Sequence, residues 1–238
     1  MILLVKDDRE YLCEPGEELH TDLGVIEVPE VIEPGETIES HLDEEFRVRE
    51  LRGPDFFNHL ERTGAPMMPK DIGIIIGKTG VGIDDRVLDA GTGTGILAAY
   101  LGRIGASVVT FEENPEFADV ARQNMERASV AEQVEVRTGD ITQYVSDLPE
   151  FNVITLDTED APQVVGHADR LLQPGGFIAV YSPFIEAARQ VEMKAHDVGL
   201  SNVTTEETIQ REMEFDERGS RPTTAGVGHT GYLTFGRR

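Results

Sequence analysis

The sequence predicts an α/β fold: a largely parallel sheet with helices on both faces, preceded by a small antiparallel β module. Three observations predict it. From about residue 66 onward, short β-branched runs alternate with longer stretches whose apolar residues recur at helical spacing, the rhythm of βαβ units. Before that, short apolar segments are separated by Pro-Gly turns. Finally, a glycine-rich stretch, Asp89-Ala90-Gly91-Thr92-Gly93-Thr94-Gly95, joins a predicted strand to a predicted helix. The division falls at residue 53, giving a β module over 1–53 and a larger domain over 54–238.

The elements follow in chain order. Ile2–Val5, Tyr11–Glu14 and Val25–Val28 are short strands, set off by Glu14-Pro15-Gly16-Glu17 and Glu33-Pro34-Gly35-Glu36. Pro54-Asp55-Phe56-Phe57 opens a helix with Phe56, Phe57 and Leu60 on one face. Ile72–Lys78 is a buried helix after Pro69, and Arg86–Asp89 is a strand. Gly95–Ile104 is a helix with Leu97, Ala98 and Leu101 inward, and Ser107–Phe111 is a β-branched strand. Pro115–Arg127 is a helix with proline in its first turn. Val134–Arg137 and Asn152–Leu156 are strands, and Ala161–Leu172 is a helix closed by Pro174-Gly175-Gly176. Phe177–Tyr181 is a strand and Ile185–Val198 a helix stopped by Gly199. Val203–Phe215 and Gly231–Phe235 are two final strands; with no helix between them they predict an antiparallel hairpin at one sheet edge.

Composition bounds the function. Of 238 residues 39% are apolar, enough for a buried core. No apolar run reaches the about 18 residues a membrane-spanning helix needs. The opening MILLVKDDREYLCE has neither a basic start nor a long apolar stretch, so a cytoplasmic protein is expected. A single cysteine, Cys13, excludes an intrachain disulfide and a cysteine-based zinc cluster, and no His/Asp/Glu spacing suggests another metal. The net charge is −24, and only four basic residues are lysines against 17 arginines. Such a carboxylate surface points to a salt-rich cytoplasm and argues against a broad basic face for nucleic acid.

The glycine loop carries the first chemistry. Glycines there permit a tight turn and let a ligand approach bare backbone, next to the N–H groups that open a helix. A dinucleotide fold would prefer Gly-x-Gly-x-x-Gly; here the spacing is Gly-x-Gly-x-Gly behind Asp89, which suits an ammonium better than a diphosphate. Glu112, 21 positions after Gly91, ends the second strand and can accept both hydroxyls of a ribose. Asp140 ends the third, where it can accept an adenine amino proton while Ile141 packs on the ring; Asp157 ends the fourth, after Leu156. Four acids at the carboxyl ends of consecutive strands, in the order headgroup, ribose, adenine, reaction, point to S-adenosylmethionine.

This ordered set resembles the class I S-adenosylmethionine-dependent methyltransferases. Three further stretches narrow the resemblance: Pro66-Met67-Met68-Pro69-Lys70-Asp71, the run from Pro174 to Pro183 containing Tyr181, and Val227-Gly228-His229-Thr230-Gly231-Tyr232-Leu233. With the N-terminal module they resemble TrmI-type tRNA (adenine-58-N1)-methyltransferases over nearly the whole chain. The resemblance implies a Rossmann-like sheet of seven strands, the last antiparallel. It also implies a homotetramer, and tRNA as the substrate, methylated at adenine N1 in the TΨC loop at position 58 and, in archaeal members, 57. Asp157 matches the family's catalytic aspartate and Tyr181 an aromatic residue lining the target-base pocket. Two expected aromatics are replaced: Met68 stands where many members have tyrosine, and Gln163 where many have tryptophan.

The chemistry supports this on its own terms. Adenine exposes its Watson–Crick edge only when unpaired, so the base must be flipped out. A carboxylate at Asp157 hydrogen-bonded to the exocyclic amino group stabilises the charge that N1-methylation places on the ring. Contact with RNA falls to arginines: Arg47, Arg49, Arg52 and Arg62 near the module boundary, and Arg211, Arg218 and Arg221 near the C-terminus. His229, between glycines, is expected to be a structural hydrogen-bonder. Other readings remain: a methyltransferase acting on protein isoaspartate or a small metabolite, and a non-enzymatic binding protein. A nicotinamide dehydrogenase is disfavoured by the glycine spacing.

Overall fold

The computed structural model describes residues 1–226 and 228–238; Val227, within the last of the family-like stretches, lies outside the described residues. The first 50 residues form six strands: β1 (Ile2–Lys6), β2 (Arg9–Cys13), β3 (Glu18–Thr21), β4 (Gly24–Glu27), β5 (Thr37–Glu39) and β6 (Glu45–Arg49). They make an antiparallel sheet in the order β2-β1-β6-β5 and a separate β3–β4 hairpin. The opening apolar tetrad does not alternate because β1 is buried on both faces. Ile2 and Leu4 pack with Ile26, Phe46 and Val48 inside the module, while Leu3 and Val5 join Leu51, Phe56 and Leu60 in the main core.

Helices α1 (Gly53–His59) and α2 (Pro69–Thr79) lead into the main sheet. Then come β7 (Arg86–Ala90), α3 (Ile96–Arg103), β8 (Ser107–Glu112), α4 (Pro115–Arg127), β9 (Val134–Thr138) and, after a single 3₁₀ turn at Ile141–Gln143, β10 (Phe151–Leu156). The chain continues through α5 (Ala161–Val165), α6 (Ala168–Leu171), β11 (Leu172–Ser182), α7 (Ile185–Asp197) and β12 (Ser201–Glu207) to β13 (Met213–Asp216), β14 (Gly219–Pro222) and β15 (Tyr232–Arg237). Seven strands form the main sheet in the order β12-β15-β11-β10-β7-β8-β9; β7, β8, β9, β10 and β11 run parallel and β15 is antiparallel to both its neighbours. The strand order reverses between β7 and β10, which opens a crevice at their carboxyl ends.

Two expectations are corrected. The helix over Ala161–Leu172 is two short helices with a break at Gly166 and His167, glycine being the poorest helix former after proline. Pro174-Gly175-Gly176 does not close it. β11 has already begun at Leu172, and residues 173–176 are a bulge between the Phe151–Leu172 and Val153–Phe177 pairs, with Gly175 at φ +85°. The strand over Val203–Phe215 is likewise two: β12 stops at Glu207, and Met213–Asp216 belongs to a separate hairpin with Gly219–Pro222. Alternation is lost over the polar run between them, and Gly219, at φ +138°, permits the turn.

Candidate active site

Sheet register assembles the site. Asp89 pairs with Thr110 and Thr155 across β7, β8 and β10, so the three share one face. Leu156 pairs with both Ala90 and Val180, and Ala90 with Phe111. The residues one step beyond, Gly91, Glu112, Asp157 and Tyr181, therefore form a row across the carboxyl ends of four adjacent strands, on the same face as Asp89 two residues below.

Asp89 is buried, and its carboxylate accepts hydrogen bonds from Thr110 Oγ1 and Thr155 Oγ1, each at 2.5 Å. Burial pushes its pKa up against the pull of these hydroxyls, and Glu112 adds to the rise. Thr110 Oγ1 also lies 2.5 Å from Thr92 Oγ1, which ties the acid to the glycine loop. Four of the loop's own donors are engaged, while no hydrogen bond is found for the Ile96 and Leu97 N–H groups that open α3 among the described residues. Gly91 and Thr92 donate to Phe111 O, Gly95 to Thr92 O, and Gly93 to Glu112 Oε2 at 2.9 Å. At Gly91, with φ +83°, a Cβ would collide with the backbone carbonyl of Asp157, so only glycine lets the two strand ends meet.

A cleft of about 600 Å³ opens over this row, lined by Gly91, Gly93, Thr94, Phe111, Glu112, Asp140, Ile141 and Asp157. Asp140 Oδ1 caps the 3₁₀ turn by accepting from Thr142 N and Oγ1 at 2.8 and 2.7 Å, and these bonds hold its pKa below the ordinary value. Asp157 is partly buried, its backbone N–H bonded to Ala90 O, and no side-chain hydrogen bond to its carboxylate is found among the described residues. Loss of hydration, then the charge of Asp89, pushes its pKa up to about 7. Beside it the half-buried Tyr181 donates its hydroxyl to Thr230 O at 2.5 Å. Burial raises the phenol's pKa, and the charges of Asp157 and Asp71 raise it further.

The remaining candidates lie elsewhere. Met68 caps α2, while its neighbour Met67 lines a small recess with Asp89, Thr92 and Asp157. Arg211 and Arg221 are exposed and do not line the cleft; Arg221 pairs with Glu214 at 3.0 Å on the β13–β14 hairpin. His229 contacts Glu207 Oε1 at 2.6 Å and Pro183 O at 3.2 Å, a structural placement. The sequence reading missed Thr63, Gly64 and Ala65, which form a wall of the cleft. Asn124, wholly buried on α4, ties the residue before this wall to the glycine loop: its side chain donates to Glu61 O at 2.8 Å and Thr94 O at 2.9 Å and accepts from Glu61 N at 3.1 Å, and Thr63 N donates to Thr94 Oγ1 at 3.3 Å. A lone asparagine among the apolar positions of an amphipathic helix was the available signal.

The residues fit a cationic nucleoside: the cleft is lined by the carboxylates of Glu112, Asp140 and Asp157, and no Lys or Arg stands among its lining residues to meet a diphosphate. This arrangement on a seven-stranded sheet defines a class I S-adenosylmethionine-dependent methyltransferase. The methyltransferase domain family matches residues 87–176, and the structure is similar to that of an S-adenosylmethionine-dependent O-methyltransferase from Thermotoga maritima, with a TM-score of 0.83, 26% identity and coverage of 100% of this chain and 92% of the other. The tRNA (adenine(57)-N(1)/adenine(58)-N(1))-methyltransferase TrmI of Methanocaldococcus jannaschii is 33% identical over 99% of this chain and 94% of its own. A tRNA (adenine(58)-N(1))-methyltransferase TrmI of Thermus thermophilus is 30% identical over 99% and 96%. The chain belongs to the TrmI-type tRNA (adenine-N1)-methyltransferase family.

Proposed function

We propose that this protein transfers a methyl group from S-adenosylmethionine to N1 of adenine in the TΨC loop of tRNA, at position 58 and also at 57. The observation that carries the reading is the likeness to the M. jannaschii protein along 99% of this chain, the N-terminal module and the last strands included. When bound, S-adenosylmethionine supplies a methyl group on a positively charged sulfur.

In this reading Glu112 and Asp140, which line the cleft at successive strand ends, bind ribose and adenine, with Ile141 against the ring. Gly91, Thr92, Gly93, Thr94 and Gly95 leave room for the amino-acid end, and Asp89 and Thr110 hold that loop in place. Asp157 acts on the target base, accepting a hydrogen bond from its exocyclic amino group. An anion deprived of water and set near another carboxylate gains most from a neighbour that becomes cationic, as methylated adenine does. Tyr181, next in the row, offers the base a ring face, and Met68 stands at the neighbouring helix start.

The exposed arginines, with Arg211 and Arg221 near the C-terminal hairpin, are the candidates for RNA contact, in a protein whose overall charge repels phosphate. That hairpin is two-stranded and carries Met213 and Phe215 largely exposed; a bare hairpin is marginal alone, which supports self-association into the homotetramer. Methyl-labelled S-adenosylmethionine incubated with in-vitro transcribed tRNA at high salt, followed by nucleoside analysis, tests the reading. It should give N1-methyladenosine that disappears with Asp157→Asn; label found only in protein would overturn it.

A further inference from the structure

Three stretches outside the glycine loop, Pro69-Lys70-Asp71, Tyr181-Ser182-Pro183 and residues 228–233, meet in one partly buried knot. Lys70 Nζ donates to Asp71 Oδ1 at 2.7 Å and to Thr230 Oγ1 at 2.8 Å, and Thr230 Oγ1 donates to Asp71 Oδ2 at 3.1 Å. The Lys70 and Asp71 side chains are only 7% and 2% exposed. The carbonyl of the same Thr230 accepts the Tyr181 hydroxyl, and the Tyr181 ring lies against the next residue, Gly231, where a Cβ would come within 2.5 Å of it.

We propose that Thr230 is a positioning residue for methyl transfer: held on its side-chain side by Lys70 and Asp71, it fixes the carbonyl that sets the Tyr181 ring beside Asp157. The inference rests on the reading of Tyr181 as the wall of the target-base pocket. The energetics of the knot favour geometry over stability as its purpose. Lys70 stands in the first turn of α2, where the helix dipole disfavours a cation. Burying the pair with Asp71 costs hydration that an apolar pair would not. What the arrangement provides is a rigid anchor for one hydroxyl. Register puts that tyrosine next to Asp157, and a displacement of a fraction of an ångström in such a wall is enough to misalign an in-line transfer.

The test compares wild type, Thr230→Val, Thr230→Ser and Gly231→Ala at high salt. The readouts are kcat and KM for tRNA, S-adenosylhomocysteine affinity by calorimetry, Tm, and the fluorescence change of tRNA carrying 2-aminopurine at the target position. Thr230→Val should lower kcat about tenfold and blunt the fluorescence change, with cofactor-product affinity within about twofold of wild type. Thr230→Ser, which keeps the hydroxyl, should recover to within about twofold. Gly231→Ala, which leaves the Lys70–Asp71–Thr230 bonds in place but crowds the ring, should lower kcat in the same way; should Thr230→Val not fold, Thr230→Ala takes its place in the comparison with Thr230→Ser. An unchanged kcat in the folded variants overturns the inference. So does a loss that serine fails to restore, or one in which Tm and cofactor-product affinity fall together with kcat. Wild-type protein that leaves tRNA unmethylated overturns the substrate reading itself; active wild type with equally active variants overturns the role of Thr230 alone.

Discussion

Asp157 is partly buried two residues beyond Thr155, the cross-strand partner of the buried Asp89, and this sets a measurable pH dependence. Its pKa is raised from 3.8 to about 7, so its ionisation opposes folding. The stability it contributes is fully present below about 3.8 and lost as pH rises through about 7. Asp157→Asn should therefore raise the Tm of the ligand-free protein by a few degrees at pH 8 and leave it nearly unchanged near pH 4, by calorimetry. The same substitution should remove methyl transfer, while wild-type kcat/KM should rise with pH through about 7 as the acceptor ionises, a limb absent from the residual activity of Asp157→Asn. Asp157 and Glu112 were legible in the sequence because each ends a strand of clear pattern. The bonds from Thr110 and Thr155 to Asp89 were not, since they join residues 21 and 66 positions apart and exist only once the strands are in register.

At the scale of elements, the segment between α1 and α2 owes its place over the glycine loop to α4. Asn124 satisfies three backbone groups across that junction, and replacing it with leucine leaves Thr94 O buried without this partner and the half-sheltered Glu61 N and O without theirs. At about 1–3 kcal/mol for each unsatisfied group, with partial relief by water, Asn124→Leu should lower Tm by about 10 °C in calorimetry and weaken S-adenosylhomocysteine binding in the protein that remains folded. Loss of stability with intact binding would show that the segment is not part of the binding wall. Most core elements were readable, the helices because each buries a single face and the central strands because they are short apolar β-branched runs bounded by turn signals. The exceptions were local: the break at Gly166 and His167, the bulge at residues 173–176, the end of β12 at Glu207, and the short β3, β5, β6 and β14 strands, whose pairing depends on turns rather than on apolar pattern.

For the molecule as a whole, charge dominates. At −24, with exposed carboxylates far outnumbering cations, self-repulsion weakens the folded state in dilute buffer. Raising KCl from about 0.1 M to about 3 M shrinks the screening length severalfold, so Tm should climb steadily across that range; a flat profile would count against a protein built for a salt-rich interior. Arginines do not offset this as a basic surface. Arg52, Arg218 and Arg238 pair with Glu50, Asp216 and Glu150, and Arg62 covers the Phe57 ring. The sequence by itself determined the alternating α/β order, the glycine loop and the acids at strand ends, because strand periodicity and turn chemistry are local properties of a chain. Tertiary structure alone decided that Asp157 should lie near Asp89, that the N–H groups of Gly91, Thr92, Gly93 and Gly95 should be spent on carbonyls and on Glu112, and that Lys70, Thr230 and Tyr181 should share one knot. Those relations depend on register between strands and on contacts across as many as 160 residues, for which no short-range pattern exists.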